Sequence, residues 1–140
     1  MNKNLVSYFA WIVSIVATLG SLYYSEVRGF IPCKLCWIQR IFMYPLVLII
    51  FLGIFNKDKN FPRYVLPLSL IGGSISLYHY LLQLGVITVS STCGLGGACA
   101  SRFINYFGFV TIPFLALTAF ILISASMIYI LKTSDNASQA

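Results

Sequence analysis

Four long apolar runs occupy most of this 140-residue chain and decide the solvent in which it folds. They cover residues 6–24, 36–55, 64–87 and 106–131. Each is about 19 to 26 residues long, and roughly 20 residues of helix cross a hydrocarbon core of about 30 Å. Hydrophobic residues make up 59% of the chain and charged residues 9%, too little polar surface for a soluble domain of this size. The expected fold is therefore an all-α integral membrane protein, a bundle of four transmembrane helices in a single domain over residues 1–132. The polar stretch 133–140 has nothing apolar to bury and is predicted to be a disordered cytoplasmic tail. The first run is too long for a cleaved signal peptide, and Ser25-Glu26-Val27-Arg28 offers no small-residue cleavage site. Small residues recur every four positions at Ala10, Ser14 and Thr18, at Ser69 and Gly73, and at Gly72 and Ser76, a spacing that lets helices approach closely in lipid.

The basic residues give an orientation. Lys3, Lys57, Lys59, Arg63 and Lys132 fall on one side of the four spans, against Arg28, Lys34 and Arg102 on the other. The positive-inside rule then places both termini and the loop 56–63 in the cytoplasm, and all four cysteines at or beyond the outer face. The same scatter accounts for most of the net charge of +6, and it forms no basic stripe of the kind that binds nucleic acid.

The cysteines carry the chemistry. Cys33-Lys34-Leu35-Cys36 opens the second span, and Cys93 and Cys99 lie in a glycine-rich loop on the same side. A bond across two intervening residues restricts the unfolded chain very little, so it is a poor staple. Such vicinal cysteines are more often redox-active, and the outer face is the oxidising one. Pro32 suits the approach to a helix, which places Cys33 and Cys36 in or just before its first turn. There the positive end of the helix dipole stabilises thiolate, the form that attacks disulfides.

Two polar residues lie deeper. Arg40 is four residues beyond Cys36, on the same helix face and about 6 Å further into the membrane. A cation at that depth needs a partner or a purpose. It either snorkels to the headgroups or stands beside Cys36, where it stabilises thiolate and hydrogen-bonds a carbonyl of a bound electron acceptor. His79 is the sole histidine, with Gln83 one turn further out. It either bonds across the bundle or lines the same acceptor pocket and handles protons. Pro113, inside the fourth run, is expected to kink it.

The run Pro32-Cys33-Lys34-Leu35-Cys36-Trp37-Ile38-Gln39-Arg40 resembles the P-C-x-L-C-x-x-x-R signature of the DsbB/BdbC disulfide-bond formation proteins. Tyr78-His79-Tyr80 with Gln83, and Tyr106-Phe107-Gly108-Phe109-Val110-Thr111-Ile112-Pro113, are similar to that family too. The resemblance implies a thiol:quinone oxidoreductase of the bacterial cell membrane. It would reoxidise an extracytoplasmic thioredoxin-like thiol-disulfide oxidase of the DsbA/BdbD type and pass the electrons to the quinone pool. It further implies redox disulfides Cys33–Cys36 and Cys93–Cys99. Cys93 would meet the partner, Cys99 would resolve that mixed disulfide toward Cys33, and Cys36 would face the quinone. Arg40 and His79 would contact the quinone, as in the DsbA–DsbB–quinone chain that keeps a bacterial periplasm oxidising. Only five residues separate Cys93 from Cys99, where well-known Gram-negative members carry a much longer loop. The chain thus looks like the compact Gram-positive type, which favours menaquinone over ubiquinone.

Three other readings compete. Enzymes of the vitamin K epoxide reductase type place their CxxC after the loop cysteines, whereas here it comes first. A tetrathiolate zinc site is opposed by the five-residue spacer and the oxidising face, so no metal is expected. A non-catalytic membrane protein stapled by two disulfides is separated from the enzyme by its failure to reduce quinone.

Overall fold

In a computed structural model, residues 2–27, 29, 34–86 and 112–139 are described. Pro32, Cys33, Cys93, Cys99 and residues 106–111 lie outside them. Helix α1 runs Lys3–Leu22 and continues into a one-turn π-helix, Tyr23–Val27. It is followed by α2 (Lys34–Phe55), α3 (Phe61–Gln83) and α4 (Ile112–Gln139). All four are long and apolar enough to cross a membrane, and no strand occurs among the described residues. Helices are the natural outcome, because in lipid each backbone N–H and C=O must be satisfied within its own segment.

The helices pack as a square in chain order. α1 lies against α2 and α4, and α3 lies against α2 and α4. Successive helices alternate in direction, so the CxxC end of α2 shares one end of the bundle with the C-terminal ends of α1 and α3. The termini and the loop 56–60 occupy the other. That loop is tight: the Asp58 N–H donates to the Gly53 carbonyl (3.0 Å), and Lys57 adopts a left-handed φ of 51°. Asp58 Oδ1 accepts from the Asn60 N–H (2.9 Å), and a proline in the first turn launches α3.

The interior is not greasier than the exterior. Leu5, Val16, Leu48, Phe55 and Ile121 point outward, while Ser7, Ser14, Ser69, Ser76, Ser124 and Ser126 are buried. Helices in lipid gain nothing by hiding leucine from its own kind; they associate through close packing and interhelical hydrogen bonds. Ser69 and Ser124 join α3 to α4 hydroxyl to hydroxyl at 2.8 Å. A Cβ added at Gly72 would collide with the ring of Phe120 on α4, and one at Gly53 with Phe61. Of the small-residue positions read from the sequence, Ala10, Ser14, Ser69, Gly72 and Ser76 are buried, whereas Thr18 and Gly73 are half-buried. Met43, Leu46, Val65, Ile123 and Met127 fill the apolar centre between them.

Three expectations change at the helix ends. The third span stops at Gln83 rather than at Ile87. Gly85 takes φ 77°, its N–H donates to Leu82 O (3.1 Å), and the Val86 N–H donates to Leu81 O (3.2 Å). This is a Schellman closure, which needs glycine at the left-handed position. Pro113 sits in the first turn of α4 rather than at a kink, where its missing N–H leaves no helical bond unmade. Residues 133–139, predicted to be disordered, continue α4 as helix. Once a helix is nucleated, each further residue adds a hydrogen bond for one residue fixed, and the membrane-embedded turns supply the nucleus. Thr133 Oγ1 also donates back to Tyr129 O at 2.8 Å.

Candidate functional site

Cys36 is the third residue of α2, in the first turn, where backbone N–H groups have no acceptor within the helix. It is half-buried and packs with Ile38, Ile75 and Tyr78 around a small cluster centred on Leu35 and Leu82. This cluster ties the first turn of α2 to the last turns of α3, separately from the main apolar centre.

One turn deeper, two consecutive residues of α2 turn to opposite neighbours. Gln39 (5% exposed) reaches α3, and Arg40 (8% exposed) reaches α1. Gln39 Nε2 lies 3.3 Å from His79 Nδ1, and His79 is 1% exposed. An amide nitrogen only donates, so Nδ1 is the acceptor and the ring proton resides on Nε2. The expectation that His79 bonds across the bundle or lines an acceptor pocket acquires a named partner on α2.

Arg40 is tied to α1 and its π-turn. Its Nε donates to Ser21 Oγ (2.9 Å), its Nη2 to the Ser21 carbonyl (2.9 Å), and its Nη1 to Ser25 Oγ (3.4 Å). Its Cζ lies 5.6 Å from the ring centroid of Trp37, close enough for a cation–π contact. Three oxygens of α1 and its π-turn thus satisfy a buried cation that would otherwise be costly at this depth. The sequence left Arg40 either snorkelling or standing beside Cys36; its hydrogen bonds lead to α1, while Cys36 packs toward α3.

The α3–α4 side of this end is aromatic. The rings of Tyr80 and Phe114 lie 5.4 Å apart, and Gln83 is the half-buried last residue of α3. Cys36, Arg40 and His79 thus share one end of the bundle, whereas Cys33, Cys93 and Cys99 lie outside the described residues. Reading the sequence missed Gln39 as the partner of His79, and Ser21 and Ser25 as the partners of Arg40. The signal was depth: each polar residue stands in or at the edge of an apolar run, at the level of the residue it bonds.

The arrangement places a cysteine in the first turn of a helix and, a turn below it, two buried nitrogen-bearing side chains, Arg40 and His79. Similarity to known proteins identifies the family. The family model described as disulfide bond formation protein DsbB matches residues 3–130. Disulfide bond formation protein C of Bacillus subtilis is 52% identical over 123 residues, covering 87% of this chain and 89% of the relative. A probable disulfide formation protein C of Halalkalibacterium halodurans is 50% identical over 125 residues, with 88% and 90% covered. A probable disulfide formation protein of Coxiella burnetii is 36% identical over 135 residues, with 95% and 92% covered. No solved structure matches the chain. Four helices long and apolar enough to span a membrane, a match along nearly the whole length and relatives of the same size make this chain a multi-pass membrane protein of the DsbB family of disulfide bond formation proteins.

Proposed function

We propose that the chain is a thiol:quinone oxidoreductase. It accepts two electrons from an extracytoplasmic thioredoxin-like thiol oxidase and delivers them to a membrane quinone. The observation that carries this reading is the placement of Cys36 in the first turn of a spanning helix, one turn above the buried donors of Arg40 and His79. Sulfur chemistry and a lipid-soluble acceptor can meet only at such a level.

The donor set suits an acceptor with carbonyl oxygens. Arg40 uses three of its five N–H bonds on Ser21 and Ser25, which leaves one on Nη1 and one on Nη2. His79 carries its ring proton on Nε2. Arg40 and His79 would hold the quinone, which when bound supplies a two-electron, two-proton sink. Menaquinone is favoured by the short Cys93–Cys99 spacer.

The rest is sulfur exchange. The partner's first thiolate attacks Cys93 of the Cys93–Cys99 disulfide, forming a mixed disulfide and expelling Cys99 as thiolate. The partner's second thiolate then expels Cys93, which leaves the partner oxidised and Cys93 and Cys99 reduced. Those two thiols reduce the Cys33–Cys36 disulfide and become a disulfide again. Cys36 thiolate, at the positive end of α2, is the last sulfur to carry the electron pair. Each cycle turns one dithiol into one disulfide and releases two protons and two electrons, the number that a quinone consumes. The basic residues support an orientation with these cysteines on the outer face and both termini in the cytoplasm.

The test uses purified chain in detergent, a reduced thioredoxin-like oxidase and a short-chain quinone. One quinone should disappear per partner dithiol oxidised, and Cys36→Ser should abolish quinone loss. Partner oxidation that proceeds with no quinone consumed would overturn the reading.

A further inference from the structure

Arg40 is held by an unusual grip, and that grip is built by α1. In the guanidinium plane, Nε–H and one Nη2–H form one edge of the fork. Both point at the same residue, to Ser21 Oγ and to Ser21 O, each at 2.9 Å. The other hydroxyls of α1 behave differently: Ser7, Ser14 and Thr18 all donate back to carbonyls of their own helix. Ser21 alone of this series serves as an acceptor for another helix. Its carbonyl lies where α1 gives way to the π-turn Tyr23–Val27, in which pairing shifts from i+4 to i+5. Trp37 covers the guanidinium with its ring, and Ser25 adds a longer contact at 3.4 Å.

We infer that Ser21 is a positioning residue for the acceptor site. By occupying the Nε/Nη2 edge of Arg40 with two oxygens, it fixes the plane of the guanidinium and directs the N–H bonds that remain, one on Nη1 and one on Nη2, to a quinone carbonyl. The inference rests on the reading of Arg40 as the quinone-contacting cation and deepens it. Ser21 touches neither sulfur nor quinone; it acts through Arg40. A planar fork repays being held in this way, because its directional donors lose their value when the plane rotates.

The test is a double-mutant cycle on equilibrium binding. A short-chain quinone is titrated into detergent-solubilised protein, and binding is read from quenching of tryptophan fluorescence. Ser21→Ala removes the hydroxyl acceptor and should raise the quinone Kd about three- to tenfold, the net worth of an ordinary intramolecular hydrogen bond felt indirectly through Arg40. Ser21→Thr keeps the acceptor and should hold Kd within about twofold, which separates the hydrogen bond from packing at that position. In an Arg40→Lys background, which itself binds quinone more weakly, Ser21→Ala should change Kd by less than about twofold. The inference is overturned if Ser21→Ala leaves Kd unchanged, or if it weakens binding equally with arginine and with lysine at position 40. If Arg40→Lys binds quinone as tightly as the parent, Arg40 is no quinone ligand, and the underlying reading falls as well.

Discussion

Breaking the Gln39–His79 contact should show that these residues are energetically coupled across the α2–α3 interface. Gln39→Leu removes the amide donor to His79 Nδ1, at a site where both residues are at least nine-tenths buried. The contact is 3.3 Å long, beyond the usual 2.9–3.0 Å for such bonds, and interhelical hydrogen bonds in a bilayer average about 0.6 kcal/mol with a maximum near 1.7. Stranding a buried acceptor adds about 1–3 kcal/mol. Because the bond is long, the lower part of that range applies, and the single variant should lose about 1–2 kcal/mol. His79→Leu should cost a similar amount by stranding the Gln39 amide. The double variant, with leucine at both positions, leaves no orphan and should lose less than the two singles together, with a coupling of about 1 kcal/mol. The measurement is reversible unfolding in mixed micelles of increasing SDS content, with helicity as the readout. Additivity of the two singles to within about 0.3 kcal/mol would refute the coupling and, with it, the tautomer assigned to His79.

Other substitutions test other parts of the account. Gly72→Leu should destabilise the bundle by about 2 kcal/mol or more, because its side chain meets Phe120, and Phe120→Ala should recover part of that loss in the double variant. Ser76 is buried, and its hydroxyl has no partner, so Ser76→Ala should be neutral or slightly stabilising, whereas Ser69→Ala should cost about 0.5–1.5 kcal/mol by breaking the bond to Ser124. An impermeant thiol reagent applied to intact cells should label Ser91→Cys but not Asn56→Cys in single-cysteine backgrounds; labelling at position 56 inverts the proposed orientation. Removing Cys99 should trap a mixed disulfide between Cys93 and the partner on a non-reducing gel, and an adduct that survives loss of Cys93 would reverse the order within the loop.

The spans were legible because hydrophobic length alone identifies a membrane helix, and a single chemical contrast separates them. Their ends were less so. At 84–86 the apolar run continues through Val86, yet the helix has already ended, because the left-handed φ at Gly85 outweighs hydropathy. Residues 133–139 mislead in the opposite direction: polar composition suggests disorder, while a helix that is already formed extends through them. In the site, Arg40 and His79 stood out as charged or titratable residues inside apolar runs. Ser21 and Gln39 did not, since a serine or an amide in a helix is commonplace, and only the facing of α2 toward α1 and α3 gives them partners. One-dimensional spacing reports which residues share a helix face; it holds no information on which face meets which neighbour.

The distribution of serine inside and leucine outside has a thermodynamic corollary. In a water-soluble domain, unfolding wets apolar surface, and the resulting heat-capacity increment bends the stability curve into a dome. Here, separation of the helices would transfer Leu46, Val65 and Met127 from one another to acyl chains, with no apolar surface wetted. The free energy of helix association should therefore fall almost linearly with temperature, with no temperature of maximum stability and no cold-induced dissociation.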